Sequence, residues 1–427
     1  MYIKSVEIKN IKAIEHFRMD FPKPAGWHVL IGDNGAGKST VVKAIALGIL
    51  GLKASFAFRE NWFDWIPLSQ KAIKRNSKYR SGFISGNIIE IKDDDERLLK
   101  NNHNNFSYDF ETIIKGSLEN SRGGLAVNSA DNYIFHDVFL KDKKGWFSAG
   151  FGPFRRFGNS DSDWDQLYDS NPLAANHMSL FSDKVALSKV ETWLQKQYTI
   201  QLENNIKIGF LQKLFSFMNQ DDFLPNGSKI LEITSEGIHF IESDGTRIEY
   251  KGLSDGYRSV ISLTLELIRQ MTVVFKTDDL FEQNEKGEIY INKSGVVLID
   301  EIDAHLHPTW QTRIGQWFTK YFPKIQFIVT THSPLVCRAA ENGSIWKLAA
   351  PGSEEESRQI QGDELNRLIF GNAVDQYGTQ AFGFIPPSES AIKMREELAS
   401  LSLKSFKGEI TKKQMERMEE LKTNFPT

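Results

Sequence analysis

The sequence lacks the features that mark secreted and membrane proteins. Its 427 residues include one cysteine, Cys337, so no disulfide can form within the chain, as is usual in a reducing compartment. It contains no apolar run of about 18 residues, so we predict no membrane-spanning helix. The first residues, MYIKSVEIKN, lack the apolar segment of a secretion signal. Together these absences predict a cytoplasmic protein without a membrane partner.

An excess of charge of one sign is also missing. The chain has 52 Lys and Arg against 55 Asp and Glu, and its formal net charge is -3. This balance argues against a protein that coats nucleic acid over its whole surface, although it is compatible with a local basic patch. Sustained heptads are absent, which excludes a long coiled coil. The hydrophobic fraction of 40% is sufficient for a buried core.

A glycine-rich stretch provides the strongest functional motif. Gly32-Asp33-Asn34-Gly35-Ala36-Gly37-Lys38-Ser39 has the spacing of a P-loop, with an apolar run before it (27–31) and a helical pattern after it (39–51). Glycines allow backbone N–H groups to turn toward phosphates, and the helix N-terminus favours an anion. We expect Lys38 to neutralise phosphate charge and Ser39 to bind Mg²⁺. The residues expected to bind the nucleotide are Gly32, Asn34, Gly35, Ala36, Gly37, Lys38, Ser39 and Thr40.

A pair of acids follows a second apolar run. Residues 296–301 (VVLIDE) predict a buried strand that ends in Asp300 and Glu301, at the edge where α/β sheets bind ligands. We expect Asp300 to hold Mg²⁺ through water, as the acid on this strand does in P-loop enzymes. Neighbours on an extended strand face opposite ways, so Glu301 is expected to point elsewhere and to act as the general base for the attacking water.

Two weaker motifs depend on their context. Residues 253–258 (LSDGYR) open a predicted helix, where Ser254 is either an ordinary N-cap or part of an anion site at the helix N-terminus. His332 follows a predicted strand over 325–330, and a single histidine in such a place is often structural.

The order of these four motifs resembles that of the ABC ATPase superfamily, whose ligands are ATP and Mg²⁺. The resemblance implies that Ser254, Asp255 and Gly256 form a signature that acts in trans, in which Ser254 and Gly256 of one subunit bind the γ-phosphate held by the other. It also implies that His332 touches this phosphate, so that Lys38, Glu301 and His332 are the expected catalytic residues. The Gln of the ABC Q-loop cannot be located from the sequence.

The residues within the motifs are more similar to those of the SMC, RecF and OLD branch than to those of transporters. Residues 300–308 (DEIDAHLHP) and 330–334 (TTHSP) resemble the ATPases of bacterial anti-phage and DNA-repair systems. Residues 151–156 (FGPFRR) resemble a stretch of the same defence ATPases, which implies that Arg155 or Arg156 contacts nucleotide or a lobe interface; a solvated arginine pair is the alternative. His305 and His307 are interpreted as part of the loop after the acids rather than as a zinc site.

The predicted fold is α/β, an ABC-type P-loop ATPase head with an antiparallel β subdomain, a helical insertion lobe and a C-terminal helical tail. The expected domains are 1–60 with the P-loop, 61–224 with the β subdomain and helical insertion, 225–350 with the signature, acids and histidine, and 351–427 with the helical tail. The amphipathic residues 388–425 are expected either to pack on the head or to dock another protein. The tail resembles that of the ATPase subunit of Septu-type defence, which pairs with a separate HNH nuclease.

The leading hypothesis is an ATP-hydrolysing subunit, a homodimer or higher even oligomer, that controls a separate DNA nuclease in anti-phage defence. One alternative is a RecF-like repair ATPase that clamps DNA directly. The densest basic run, which that alternative would use, is Lys71, Lys74, Arg75, Lys78 and Arg80. The other alternative is an ATP-gated scaffold with little turnover.

Overall fold

The structure is a computed structural model that describes most of the chain. The described residues are 1–58, 60–66, 79–89, 107–117, 122–127, 147–153, 171–182, 189–203, 209–220, 223–224, 227–234, 237–275, 277–382 and 389–424. Arg155, Arg156 and the basic residues Lys71, Lys74, Arg75 and Lys78 lie outside these ranges. Within the ranges, no helix has both the length and the apolar character needed to cross a membrane.

The strands divide into two large sheets and two small ones. In chain order they are β1 (Tyr2–Ile11), β2 (Ile14–Asp20), β3 (Gly26–Ile31), β4 (Tyr79–Ile89), β5 (Ser107–Ser117), β6 (Arg122–Val127), β7 (Ser148–Phe151), β8 (Lys229–Thr234), β9 (Gly237–Ile241), β10 (Arg247–Glu249), β11 (Glu282–Gln283), β12 (Ile289–Tyr290), β13 (Gly295–Ile299), β14 (Ile325–Thr330), β15 (Gly343–Lys347) and β16 (Arg358–Gln359).

The helices lie between and after these strands. They are α1 (Lys38–Ser55), α2 (Pro172–Ala175), α3 (Met178–Phe181), α4 (Lys189–Glu203), α5 (Phe210–Met218), α6 (Asp255–Val274), α7 (Pro308–Tyr321), α8 (Gly362–Phe370), α9 (Ala373–Tyr377), α10 (Glu389–Phe406) and α11 (Lys412–Asn424). Short 3-10 helices cover Phe56–Phe58, Trp62–Trp65, Tyr250–Gly252, Thr277–Asp279 and Pro334–Asn342.

A six-stranded sheet in the order β16-β15-β3-β14-β13-β7 forms the centre of the molecule. The neighbours from β15 to β7 pair in parallel, and β16 pairs antiparallel at one edge. Every residue of β3, β13 and β14 is buried, as expected for parallel strands covered on both faces. Because these three strands are parallel neighbours, the loops after them meet at one edge of the sheet.

Apolar residues on the two faces of this sheet belong to different cores. Val29 and Val297 lie in one cluster with the apolar side chains of α6 and α7. Leu30 and Leu298 lie in the other cluster with α1 and the N-terminal strands. The alternation along β3 and β13 therefore places packed layers on both sides of the central sheet.

The second large sheet is antiparallel and has the order β2-β1-β4-β5-β6. It joins strands from the predicted 1–60 unit with strands from the predicted 61–224 unit. Conversely, β7 from the second of these units pairs with β13 in the central sheet. The sheets therefore cross the predicted boundaries at 60 and 224, because strand pairing depends on contacts between segments that are distant in the sequence.

The first helix extends beyond the predicted range of 39–51. It begins at Lys38 and ends at Ser55, with Gly51 in a non-helical conformation (φ 71°, ψ 178°). The glycine thus marks a kink rather than the end of the helix.

The C-terminal tail ends in a helical hairpin formed by α10 and α11. Leu401, Met418 and Leu421 are its buried apolar residues, and the partly buried residues around them are Met394, Leu398 and Ile410. Arg417 of α11 pairs with Glu397 of α10 at 3.1 Å. All members of this small cluster come from the hairpin itself.

Candidate nucleotide-binding site

The loop after β3 has backbone angles that favour glycine. Gly35 and Gly37 have φ values of 81° and 97°, in the left-handed region where an L side chain is strained. Gly37 is also the N-cap of α1, and no side chain caps this helix. The N-terminal amides of α1 are therefore available to an anion placed over the loop.

Lys38 lies inside the curve of this loop. Its Nζ donates hydrogen bonds to the carbonyl oxygens of Gly32 at 2.7 Å and Asp33 at 3.1 Å. Burial lowers the pKa of Lys38, whereas the nearby Asp300 and Glu301 carboxylates favour its charged form and oppose that shift. An anionic phosphate would oppose the effect of burial in the same way.

The acid pair lies in the turn after β13 and not in the strand as predicted. The strand ends at Ile299, and Glu301 has a positive φ of 47°. The prediction that Glu301 faces away from Asp300 by strand alternation was therefore based on the wrong conformation. The direction of the Glu301 side chain is instead set by the left-handed backbone of Glu301 itself, a conformation that is uncommon for residues other than glycine.

Asp300 is buried and held by neighbours on both sides. Its backbone N–H donates to the Phe151 carbonyl of β7 at 2.8 Å. Its carboxylate Oδ1 accepts a hydrogen bond from the Thr330 hydroxyl at 2.6 Å. The side chain is therefore fixed at the carboxyl edge of the sheet, between the ends of β7 and β14.

The loop with His332 is bonded to the acid loop through Asp303. The His332 N–H donates to both carboxylate oxygens of Asp303, at 3.4 and 3.3 Å, and the His332 residue itself is exposed. The N–H of Ile302 donates to the Thr330 carbonyl at 3.0 Å. The end of β14 and the acid loop thus form one hydrogen-bonded unit.

Comparison with known protein families agrees with this geometry. A family model described as "AAA domain, putative AbiEii toxin, Type IV TA system" matches residues 28–338, which include the P-loop, the acid pair and His332. The chain belongs to this AAA domain family. Membership implies a P-loop that binds a nucleotide.

Several curated proteins are similar to this AAA domain protein. It is 27% identical over 352 residues to Septu protein PtuA of Bacillus mycoides (strain KBAB4), covering 81% of this chain and 40% of that protein. It is 24% identical over 402 residues to the Retron Ec83 probable ATPase of Escherichia coli, covering 81% and 71%. The chain thus spans less than half of the Bacillus protein. Among solved structures, an SMC head bound to the C-winged helix domain of ScpA is 15% identical, with a TM-score of 0.45 over 85% of this chain and 99% of that one.

The signature-like turn of the AAA domain packs against the acid loop of the same chain. Ser254 occupies the N-cap position of α6, but its side chain makes no capping hydrogen bond, and Ser254 and Asp255 are exposed. A Cβ on Gly256 would lie 2.6 Å from the His305 carbonyl oxygen. Ser254 therefore does not act as an ordinary side-chain cap, and Gly256 permits close contact between the two loops.

His305 and His307 have local roles in the structure. His305 has a positive φ of 65° in the acid loop. The His307 ring accepts from the Thr309 N–H and so caps α7. Among the described residues, no three His, Cys, Asp or Glu side chains are grouped as metal ligands.

The residues at this edge fit a magnesium nucleotide. Mg²⁺ prefers hard oxygen ligands, and the Ser39 hydroxyl and the Asp300 carboxylate are of this type. Asp300 is only 3% exposed, so a bound cation there would offset the cost of a buried negative charge. The glycine loop, the Lys38 ammonium and the uncapped start of α1 supply the groups that a polyphosphate requires.

Most of the predicted site residues lie in three loops at one edge of the sheet. Lys38, Asp300, Glu301 and His332 follow β3, β13 and β14, which are adjacent, and the signature turn contacts the second of these loops. Sequence reasoning missed Thr330 and Asp303, which connect the loops. The sequence contained a signal for Thr330, because it is a polar residue that directly follows the apolar run 327–329 at the end of a predicted strand.

Proposed function

We propose that this chain binds and hydrolyses ATP and that its nucleotide state controls a separate effector, a DNA nuclease, in anti-phage defence. One observation carries the ATPase proposal. The P-loop lysine, the acid pair and His332 follow three adjacent parallel strands, and the hydrogen bonds of Thr330 and Asp303 connect the acid loop with the end of β14 and His332.

Each side chain has a distinct role in the proposed reaction. Lys38 and the amides of the P-loop bind the phosphates of ATP. Ser39 and Asp300 would hold Mg²⁺, whose charge neutralises the phosphate oxygens. Glu301 accepts a proton from the water that attacks the γ-phosphate, and His332 donates a hydrogen bond to that phosphate.

We further propose that two copies form the complete site. In the signature turn formed by Ser254, Asp255 and Gly256, the serine and the glycine would bind the γ-phosphate held by the P-loop of the other copy. The exposure of Ser254 and Asp255, and the absence of a side-chain cap on α6, support this role. A site that is complete only in the closed dimer would couple hydrolysis to a conformational step.

The defence role is supported by the relatives and by the tail. The similar proteins include a Septu protein and a retron probable ATPase. The hairpin exposes Leu403 (57%), Phe406 (92%) and Met415 (47%), as expected for residues that a partner covers. We therefore propose residues 351–427 as the region that docks the effector.

Phosphate release and nucleotide binding test the ATPase proposal. Wild-type protein should bind ATP and release phosphate, and Lys38→Ala should lose tight ATP binding because the buried ammonium is removed. Lys286→Ala, at an exposed lysine of the β11–β12 turn, serves as the matched control and should behave as wild type. Normal ATP affinity in Lys38→Ala would contradict the site.

Native mass spectrometry tests the effector proposal. The chain would be expressed together with its neighbouring genes and measured with and without ATP. A stable assembly with a nuclease-like neighbour, altered by ATP, is the expected result. An even oligomer that takes up ATP without any partner, and whose hydrolysis is stimulated by DNA, would instead favour a RecF-like clamp. Binding with negligible turnover would favour an ATP-gated scaffold.

A further inference from the structure

One hydroxyl group connects both members of the acid pair. The Thr330 Oγ1 donates to the Asp300 carboxylate at 2.6 Å and accepts from the Glu301 backbone N–H at 2.7 Å. The Thr330 carbonyl also accepts from the Ile302 N–H at 3.0 Å. Three consecutive residues of the acid loop are therefore bonded to a single residue of the neighbouring strand.

The position of Thr330 makes this arrangement rigid. It is the last residue of β14, which lies between the P-loop strand β3 and the acid strand β13, and it is completely buried. The bond to Asp300 is buried and the bond from Glu301 is partly buried, and the loss of a partner in such surroundings leaves a polar group unsatisfied. The hydroxyl therefore holds its two neighbours in one geometry.

Both acids need such support. The Asp300 carboxylate can rotate about its side-chain bonds. A hydrogen-bond donor on one of its oxygens fixes the plane of the carboxylate and so the direction of the second oxygen. Glu301 has a left-handed backbone that is sterically disfavoured for a residue with a Cβ, and the bond from its N–H opposes relaxation of that conformation.

We propose that Thr330 is a positioning residue for hydrolysis. Its hydroxyl orients the Asp300 carboxylate toward the metal and holds the backbone that sets the direction of Glu301. This assignment rests on the proposed ATPase function. It predicts that the loss of the hydroxyl impairs the response to Mg²⁺ and the turnover. Metal-free nucleotide binding should change little, because the hydroxyl of Thr330 bonds Asp300 and Glu301 whereas the P-loop lysine bonds Gly32 and Asp33.

The test compares Thr330→Val and Thr330→Ala, which both remove the hydroxyl, with Thr330→Ser, which keeps it. Alanine covers the case in which the valine methyl group clashes with the Asp300 carboxylate and prevents folding. Thr264→Val is the matched control, since Thr264 is equally buried but its hydroxyl donates at 2.9 Å to Val260 of its own helix. Melting temperature is measured for every variant.

Two readouts separate positioning from general destabilisation. Calorimetry measures the affinity for a non-hydrolysable ATP analogue in EDTA and in Mg²⁺, and phosphate release measures the Mg²⁺ concentration dependence and kcat. Loss of the hydroxyl should leave the EDTA affinity unchanged. It should lower either the gain in affinity that Mg²⁺ provides or the turnover by about 10–100-fold, as is typical when the hydrogen-bond partner of a metal ligand is removed. Thr330→Ser should recover most of this loss, and Thr264→Val should show none.

Three outcomes would overturn the assignment. If Thr330→Ala kept the metal dependence and turnover of the wild type, the role of Thr330 would be wrong. The proposed ATPase function would stand, since the wild type would still hydrolyse ATP. A Thr330→Ser variant as impaired as Thr330→Ala would show that the methyl group or packing matters instead of the hydroxyl. A wild-type chain that binds no ATP would overturn the proposed function and this assignment together.

Discussion

The nucleotide edge of the central sheet and the C-terminal hairpin are held together by contacts of very different range. At the nucleotide edge, Lys38 and Asp300 follow β3 and β13, and Thr330 ends β14, which pairs with β3 across 300 positions of sequence and with β13 across 30. In the hairpin, the buried residues Leu401, Met418 and Leu421 lie within 21 positions of each other. The first region therefore exists only when the whole sheet has formed, whereas the second forms from local contacts.

The two regions also differ in how much apolar surface they bury and in how many of their polar groups form internal hydrogen bonds. The edge has a packed layer on each face and short hydrogen bonds between its loops. Among its described side chains, the hairpin buries Leu401, Met418 and Leu421 and leaves Phe406 almost fully exposed. A two-helix unit of this size gains little from its own core. This contrast favours a catalytic role for the edge and a docking role for the hairpin, and four experiments can separate them.

The largest effect is expected at Glu301. Glu301→Gln keeps the shape of the side chain but removes the basic carboxylate, so turnover should fall by about 10²–10⁴-fold while ATP binding is retained. The closed dimer should accumulate in ATP, because the step that reopens it is slow. Phosphate release, ATP affinity and native mass are measured, with Glu285→Gln at an exposed position as the control. Unchanged turnover would remove Glu301 as the base.

A smaller effect is expected where the signature turn meets the acid loop. A Cβ in Gly256→Ala would lie 2.6 Å from the His305 carbonyl oxygen, so one of the two loops must shift. We expect turnover to fall about tenfold, since a misplacement of about 1 Å can already cost about a hundredfold in rate. Gly252→Ala is the matched control, because its Cβ would meet only the Ile248 Cβ at 3.9 Å. Equal turnover in both variants would contradict a functional contact between these loops.

The sequence predicts the nucleotide edge well at the level of residues and less well at the level of conformation. The P-loop is local, because its glycine spacing and flanking elements occupy one continuous stretch, and the acid pair is visible as the end of an apolar run. The left-handed Glu301 and the Thr330 bridge depend on which strand lies next to β13, and this pairing spans 30 residues. Periodicity contains no information about that neighbour, so these two features require the folded sheet.

The predicted domain limits stay predictions, and strand pairing crosses two of them. The fold class could be predicted from motif order, because the order reflects the strands that carry the loops. β4 pairs with β1 across the limit at 60, and β7 pairs with β13 of the central sheet across the limit at 224. The hairpin, by contrast, was predictable as helical from its own pattern, since its contacts are local.

Acid should weaken the head through buried histidines. Burial lowers the pKa of His28 to about 4 from 6.5, so the folded head keeps this ring neutral while the unfolded chain protonates it. Stability from this group is complete above pH 6.5 and is lost as the pH falls toward 4, by about 3 kcal/mol in total. His177, with a pKa lowered to about 3, acts in the same direction.

The melting temperature measured from pH 7 to pH 4 tests this linkage. Wild type should lose stability across this range, and His28→Gln should give a flatter curve whatever its stability at pH 7. Parallel curves for the two proteins would contradict a neutral His28 in the folded head. The hairpin contains no histidine, so the comparison reports on the head alone.

The smallest effect on the head is expected from a substitution in the hairpin. Such a variant separates the two regions most clearly, because it should change docking and leave turnover unchanged. Phe406 is 92% exposed, so Phe406→Ser removes apolar surface without opening a cavity. Turnover and melting temperature should equal those of wild type, while the effector recovered in the native assembly should fall at least about tenfold, as for an exposed aromatic anchor. Phe56→Ser, at a 52% exposed position of the head, is the control and should retain the effector. If Phe406→Ser lowers turnover with no partner present, the hairpin acts on the head itself. If it leaves the assembly intact, docking lies elsewhere, and the exposed aromatic has no part in holding the effector.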